Sequence, residues 1–496
     1  MKCIFIIPPW THKDSHFEAL QDTIAGFWPP LGILYIAAVL REAGYEVKAY
    51  DGARFTMRGM VEVLKNENPD FLGVSCVAKL WERAKELMSD VREVLPKVKI
   101  AAGGQGPTFL KERCLKECNA LDYVVVNEGE YSTLKLLDRI KNSESLSGLL
   151  GVYYRDNNEI KFHGDYPFTE DLDSIPFPAI DLLDCKWYVP SVGQYKRLPV
   201  GEMMTSRGCP NSCIYCFKIG GDQIRMRSPE NIIEEMQRWI DLFEIREMKF
   251  WDENFTHDRE RVAKICEGMI KKREKYGKQW DVIWSCSGRI DGVDKDLLKL
   301  MKRSGCHYIQ YGIESGVQKN LDMIGKKITL DQIRETVALT HKYGISMINT
   351  FILGIPGETY EEALETIKFA HELNSDYVEF FPCTPFPGTR LYNDIEKYGR
   401  LLEPDITKLG MHLLPFVPYT MDENKLRYLQ QAAFKGYYMR PSYIWQRLKK
   451  IRSWTDVKIN LAGLRAILKM NPKKYASSGN MEEPIPTFPV VEKSSC

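Results

Sequence analysis

The stretch Arg207-Gly-Cys-Pro-Asn-Ser-Cys-Ile-Tyr-Cys-Phe-Lys218 sets Cys209, Cys213 and Cys216 in a C-x3-C-x2-C spacing. Thiols this close suit one soft metal centre, and three of them fill three corners of a cubane iron-sulfur cluster while the fourth iron stays open to a ligand. Two other readings fit in part. The positions i, i+4 and i+7 also share a helical face, as three core cysteines would. Gly208 and Pro210 argue against a helix interior there. A structural zinc site takes four protein ligands, and no fourth Cys or His lies nearby in the sequence.

Tyr215 stands directly before the last cysteine, and with this aromatic the stretch resembles the signature of the radical S-adenosylmethionine (SAM) superfamily. The resemblance implies a [4Fe-4S] cluster held by Cys209, Cys213 and Cys216, with the amino and carboxylate groups of SAM on the open iron. It also implies one-electron cleavage of SAM to methionine and a 5'-deoxyadenosyl radical that takes hydrogen from a substrate.

From Glu202 to about Tyr398 apolar strands alternate with amphipathic stretches, and six strands are predicted at 203–206, 248–251, 282–286, 308–311, 347–353 and 377–381. After the cysteines, Ser228 caps a helix with Pro229 at its first position and Ile232, Ile233, Met236, Trp239, Ile240 and Phe243 on one face. Six such units make a partial parallel (β/α)6 barrel, whose chemistry collects in the loops at the strands' carboxyl ends. Those loops read Asp252-Glu-Asn-Phe-Thr256, Ser287-Gly-Arg289, Gly312-Ile-Glu-Ser-Gly316, Gly354-Ile-Pro-Gly-Glu358 and Thr384-Pro-Phe-Pro-Gly388. By position they resemble the superfamily's SAM-binding elements. The resemblance gives Asp252 or Glu253 to the methionine amino group, Arg289 and Glu314 to the carboxylate and ribose, and the turn from Gly354 to Glu358 to adenine. Tyr215 and Ser287 join the same set. Taken alone, each glycine or acid is equally an ordinary turn or helix cap.

Residues 1–145 alternate in the same way, with strands expected at 3–7, 46–50, 71–76, 100–103 and 123–126 and helices between them. This pattern predicts a doubly wound, mostly parallel sheet that binds ligands at its carboxyl edge. Gly104-Gln-Gly106-Pro-Thr-Phe109 puts Phe where the third glycine of a dinucleotide fingerprint belongs, which argues against nicotinamide or flavin. The ordered series Pro29-Pro-Leu-Gly32, Asp51, Gly103-Gly104 and Asn127-Glu-Gly-Glu130 resembles the cobalamin-binding domain that precedes the barrel in one large radical SAM class. That resemblance implies cobalamin contacts at Pro8, Asp51, Ser75, Gly103, Gly104, Gly106, Glu128 and Gly129. Asp51-Gly52-Ala53 is followed by Arg54 rather than by the D-x-H-x-x-G motif, which implies cobalamin without a histidine ligand from this domain. His12 and His16 are its only histidines. The alternative is a domain that keeps the fold without cobalamin.

Residues 146–200 read as a proline-rich connector, in which Trp187 and Tyr188 are buried aromatics or reach a substrate cavity. The run Phe27 to Leu40 is too short to span a bilayer and reads as a buried helix. Residues 401–475 read as a helical C-terminal region and 476–496 as a disordered tail. Apart from the triad the cysteines are scattered, which fits a reducing cytosol, and a net charge of +1 shows no bias toward nucleic acid. Charge is nevertheless concentrated: from Lys435 to Lys474 there are 11 Lys and Arg against one acid, Asp456, with Ile444, Leu448 and Ile451 on one face and Tyr443, Trp445 and Trp454 beside them. This is either a solvated basic face packed on the barrel or a peripheral contact with an anionic membrane. With membrane contact, a lipid substrate is expected; without it, a soluble one.

The combined reading is a cytoplasmic α/β enzyme that uses a [4Fe-4S] cluster, SAM and cobalamin to methylate an unactivated carbon. It draws electrons from a donor such as flavodoxin or ferredoxin. The alternative is a cyclase or rearrangement enzyme with the same two domains.

Overall fold

The computed structural model describes residues 1–10, 26–157, 159–191, 194–409, 414–451 and 454–470. Five strands, β1 (Lys2–Ile7), β2 (Glu46–Asp51), β3 (Phe71–Ser75), β4 (Lys99–Gly103) and β5 (Tyr123–Val125), pair in parallel in the order 2-1-3-4-5. The order reverses between β1 and β3, which opens a crevice at the strands' carboxyl ends. Both faces are buried: Cys3, Phe5 and Phe71 pack into one core, and Ile4, Ile6 and Leu72 into another. Helix α1 (Leu31–Glu42) covers the first face with Ile33, Leu34, Ala37 and Leu40. It starts only after Pro30, so Phe27 and Trp28, expected within it, lie outside; a residue before proline disfavours the helical region. Instead, Phe27 N donates to Val189 O at 2.9 Å and the Trp28 ring meets Trp251.

The sheet does not stop at residue 145. After β5, β6 (Val152–Asp156) and β7 (Glu159–Lys161) add two antiparallel strands, so the stretch expected as a connector first supplies a sheet edge. Asn157, at φ 47, turns the chain between them, a conformation asparagine tolerates. Helix α2 (Gln105–Leu110) follows β4 directly.

The second sheet begins at β8 (Val200–Met203); then β9 (Ser206–Arg207) and β10 (Arg225–Met226) form a small antiparallel pair. Strands β11 (Glu247–Phe250), β12 (Ile283–Gly288), β13 (Cys306–Glu314), β14 (Ser346–Leu353) and β15 (Tyr377–Pro382) complete six parallel strands in sequence order, an open (β/α)6 arc. The first strand lies at 200–203 and not 203–206, because Thr205 and Ser206 turn aside to bond Asp252. Helix α3 (Pro229–Phe243) is capped as its sequence predicts: Ser228 accepts from Asn231 N, and Ile232, Met236, Trp239 and Ile240 are buried.

Helix α4 (Glu423–Tyr438) covers the free edge of the arc. Tyr438 Oη accepts from Val378 N at 3.0 Å and donates to Val378 O at 2.7 Å, so the last strand's exposed groups are satisfied by a side chain. Helices α5 (Pro441–Lys450) and α6 (Trp454–Lys469) follow, exposing Ile444, Trp445 and Leu448 on the first and Leu461, Leu464 and Leu468 on the second. The stretch read as a disordered tail and both N-terminal histidines, His12 and His16, lie outside the described residues.

Candidate active site

Strands β9 and β10 form the neck of the loop that carries Cys209, Cys213 and Cys216. Gly208 sits at φ 86, and a Cβ there would lie 2.1 Å from Gln223 O, so the neck closes only on glycine. Cys209 N donates to Gly221 O at 3.2 Å and Ile214 N to Ile324 O at 3.1 Å, which ties the loop to its own end and to the segment after β13. The loop is not helical, so three core cysteines on one helix face are ruled out. All three thiols are free. Three thiols are one short of the four protein ligands of a structural zinc site and match a cubane that leaves its fourth iron open. The surrounding protein, then Cys213, Glu253 and Cys209, push the Cys216 thiol up to about 12, so loading a cluster releases protons.

Beside this loop the end of β13 gathers several expected residues. Glu314 lies in the left-handed region at φ 72, next to a register shift against β14, and such strain collects at functional sites. Its side chain folds over Gly312 to meet Lys326 Nζ at 2.7 Å; a Cβ on Gly312 would lie 2.2 Å from Glu314 Oε1. Arg289 donates to Lys326 O at 2.7 Å and to Asp291 Oδ1 at 2.9 Å. Tyr215 faces Glu314; burial, then that charge and the neighbouring thiols, push its phenol well above the usual range. Lys326 joins the group, and no motif in the sequence marked it. The one available signal was Glu314 itself, an acid on a buried strand that needs a cation.

Two expected SAM contacts are spent inside the protein. Asp252 accepts from Thr205 N at 2.6 Å, from Ser206 Oγ at 2.8 Å and from Thr205 Oγ1, and so ties the chain between β8 and β9 to the end of β11. Glu358 accepts from Gly354 N at 2.6 Å and Asn320 Nδ2 at 3.1 Å, which closes its own turn. Ser287 is half-buried on β12, and its carbonyl accepts from Phe255 N at 3.1 Å.

A cavity of about 340 Å³ lies between the two sheets, within the roughly 300–1,000 Å³ of small-molecule sites. One wall carries Ser75, Gly103, Gly104, Glu128 and Gly129 with Leu31, Ile33 and Ile36; the other carries Met204, Arg207, Ile219, Gly220, Trp251 and Glu253. Both are walls of strand carboxyl ends. Pro8, Asp51 and Gly106 are not on the wall: Gly52 covers Pro8, Asp51 turns in to accept from Ala53 N at 2.9 Å beside Tyr188, and Gly106 packs on the backbone of Ala78. No histidine is among the described lining residues, and Arg54 lies over the Trp187 ring.

Family models described as a B12-binding domain and as the radical SAM superfamily match residues 18–137 and 203–370. The chain is 31% identical to an uncharacterised methyltransferase of Pyrococcus horikoshii over 90% of this chain and 94% of that protein. The chain belongs to the cobalamin-dependent radical SAM family. It is also 26% identical to the anaerobic magnesium-protoporphyrin IX monomethyl ester cyclase of Rubrivivax gelatinosus, over 90% of this chain and 78% of that one. Its fold is similar to that of the radical SAM methyltransferase TsrM from Kitasatospora setae, solved with cobalamin and a [4Fe-4S] cluster, at a TM-score of 0.65 and 16% identity, covering 80% of this chain and 74% of TsrM.

As a cobalamin-dependent radical SAM enzyme, the protein uses a [4Fe-4S] cluster, SAM and cobalamin, and needs a reductant. Its residues fit these groups. The triad offers three thiols, and the cavity offers bare backbone at Gly103-Gly104 and an apolar wall on which a macrocycle can lie. Among the described residues no helix is long and apolar enough to cross a membrane.

One feature of this radical SAM enzyme was not legible in the sequence. Glu128 receives Arg225 through both oxygens, at 2.7 and 3.0 Å, and lies 3.2 Å from Arg207, which donates to Glu130 at 2.7 Å. Arg207 and Arg225 are the two sides of the cysteine-loop neck. The loop expected to touch cobalamin is thus ion-paired to the neck of the cluster loop, and the Glu128 carboxylate is spent on arginines. Nothing about Arg207 or Arg225 in the sequence carried a motif.

Proposed function

We propose that the enzyme methylates a carbon that offers no lone pair, in the space between its two sheets. One observation carries this reading: a single cavity has the B12-binding module on one wall and Trp251, Glu253 and the end of the cysteine loop on the other. When bound, the cluster supplies the electron that opens SAM to a radical, and cobalamin carries the methyl group. The chain's own residues supply position and dryness. Cys209, Cys213 and Cys216 hold the cluster, and Glu314, Arg289 and Lys326 orient the polar groups of SAM beside it. Arg207 and Arg225 hold the two walls together, and Trp28 against Trp251, with ring centroids 4.9 Å apart, shields the space from water.

The cyclase among its relatives supports a second reading, ring closure without methyl transfer. Anaerobic reconstitution with iron, sulfide and cobalamin, followed by SAM and a reductant, separates the two. Formation of both S-adenosylhomocysteine and 5'-deoxyadenosine supports methylation; 5'-deoxyadenosine alone supports cyclisation. In the product, one added methylene unit marks the first and loss of hydrogen the second.

The reading extends to a reducing, cytoplasmic compartment with flavodoxin or ferredoxin as donor. It also places the exposed Ile444, Trp445 and Leu448, in a stretch with eleven basic residues against one acid, on an anionic membrane surface.

A further inference from the structure

The concave face of the barrel holds a charge that the mechanism above does not use. A side chain on Gly201 would meet Trp239, Ile245 and Met248, so Gly201 faces the helices and its neighbour Glu202 faces the lumen. Parallel register sets Lys249 between Glu202 and Ser285 on that same face, with Tyr308 next to Ser285. Lys249 is 4% exposed, and among the described residues its ammonium has no ion pair and no hydrogen-bond acceptor; it lies over the rings of Trp251 and Tyr308, at 5.1 and 5.0 Å. Glu202 spends one oxygen on Trp251 Nε1 at 2.6 Å, and among the described residues its other oxygen and Ser285 Oγ are buried without a partner. Burial pushes Lys249 down to about 8 and, against the pull of Lys249, pushes Glu379 on β15 up to about 7. A buried ammonium with no hydrogen-bond acceptor among the described residues costs free energy that an acceptor would recover.

We propose that the barrel lumen takes a substrate bearing an anionic group, a carboxylate or a phosphate-type oxygen, which Lys249 receives, while Ser285 and Glu202 hydrogen-bond its polar neighbours. This rests on the reading that the substrate is methylated in the cavity between the sheets, and Trp251 connects that cavity to the lumen: it lines the cavity and its ring covers Lys249. The part of the substrate that enters is therefore polar, whatever the rest of the molecule is, and a bare hydrocarbon is excluded from the lumen.

The test is 19F NMR of the full chain labelled with 5-fluorotryptophan, with the Trp251 resonance assigned through Trp251→Phe. Methylphosphonate and acetate are titrated, with acetamide as the uncharged match for acetate. The Trp251 resonance should shift saturably with one or both anions and not with acetamide. A shift with acetate alone names a carboxylate, and with methylphosphonate alone a phosphate-type group. In Lys249→Met the midpoint should rise by roughly tenfold or more, while Lys249→Arg keeps it within a few-fold; thermal melts report whether each variant is folded. A Trp251 resonance indifferent to both anions, or equally responsive in a folded Lys249→Met protein, overturns the proposal. SAM cleavage by the wild-type enzyme is scored separately, so a failure of the methyltransferase reading shows there and not in the NMR.

Discussion

Phe109 of α2 and Phe217, the residue after Cys216, meet edge to face with ring centroids 4.3 Å apart. One belongs to the B12-binding module and the other to the cluster loop, so the aromatic contact fastens the loop's far end as the Glu128 pairs fasten its neck. Such a pair is worth about 0.5–1.5 kcal/mol beyond the area it buries. Phe109→Ala should therefore let the loop loosen without unfolding the chain. The check is the rate at which the reconstituted cluster's visible absorbance bleaches in air, expected to rise several-fold; an unchanged rate counts against the contact.

Replacing Cys209, Cys213 or Cys216 with Ala should abolish the cluster and with it reductive SAM cleavage, because the ligands are thiolates. Cys266 and Cys306, buried in the barrel core, should tolerate Ala with the cluster intact. Iron and sulfide content with 5'-deoxyadenosine yield decides it, and a Cys213→Ala protein that still cleaves SAM would refute the assignment.

Arg225→Ala should cost on the order of 3–5 kcal/mol, since it strips Glu128 of its bidentate partner at a nearly buried site. Glu128→Gln in the same protein should restore part of that loss, whereas Arg225→Lys should restore less than the native Arg because a point charge cannot serve both oxygens. Denaturant midpoints measure all three. A loss as small as the roughly 0–1 kcal/mol of a surface pair would show that the clasp does not hold the modules.

His371 is half-buried against Tyr437, and burial, then the Arg440 charge, hold it down at about 4 from an ordinary 6.5. The unfolded chain takes up this proton below pH 6.5 and the folded chain only near 4, so stability is lost as pH falls through that window. In His371→Phe the loss should be shallower than in wild type between those values, and the two should differ by a constant amount above pH 6.5. Parallel decline of both proteins throughout would contradict this.

Membrane contact should appear as co-sedimentation with anionic but not neutral liposomes, weakened by salt as screening shortens. Trp445→Ser together with Leu448→Ser should reduce it further. Equal, negligible binding to both vesicles removes the surface from the reading.

The parts of this molecule that were legible in its sequence are those governed by neighbours along the chain. Cluster ligands need a fixed local spacing, so Cys209, Cys213 and Cys216 stand out, and the cap at Ser228 and the alternation of strands and helices are local as well. The carboxylates were harder. Asp252 and Glu128 sit at the strand ends where a ligand-binding acid belongs, yet their partners are Thr205 and Arg225, brought in from 47 and 97 residues away. The hairpin at 152–161 is not legible in the sequence because its strands are short and half polar, and it is the pairing with β5 that makes them strands.

Trp251 touches three things at once: Glu202 through its indole nitrogen, Lys249 through its face and Trp28 in a T-shaped ring contact. Because the same ring bounds both the cavity between the sheets and the mouth of the barrel, the two spaces share a partition. Selection for a bulkier substrate cannot carve room at this position alone: shrinking the ring would also breach the cleft, strip the lumen lysine of its cover and orphan a buried acid. New substrates are more readily reached by altering the far strands, around Gln310 and Glu379, which do not line the cavity between the sheets.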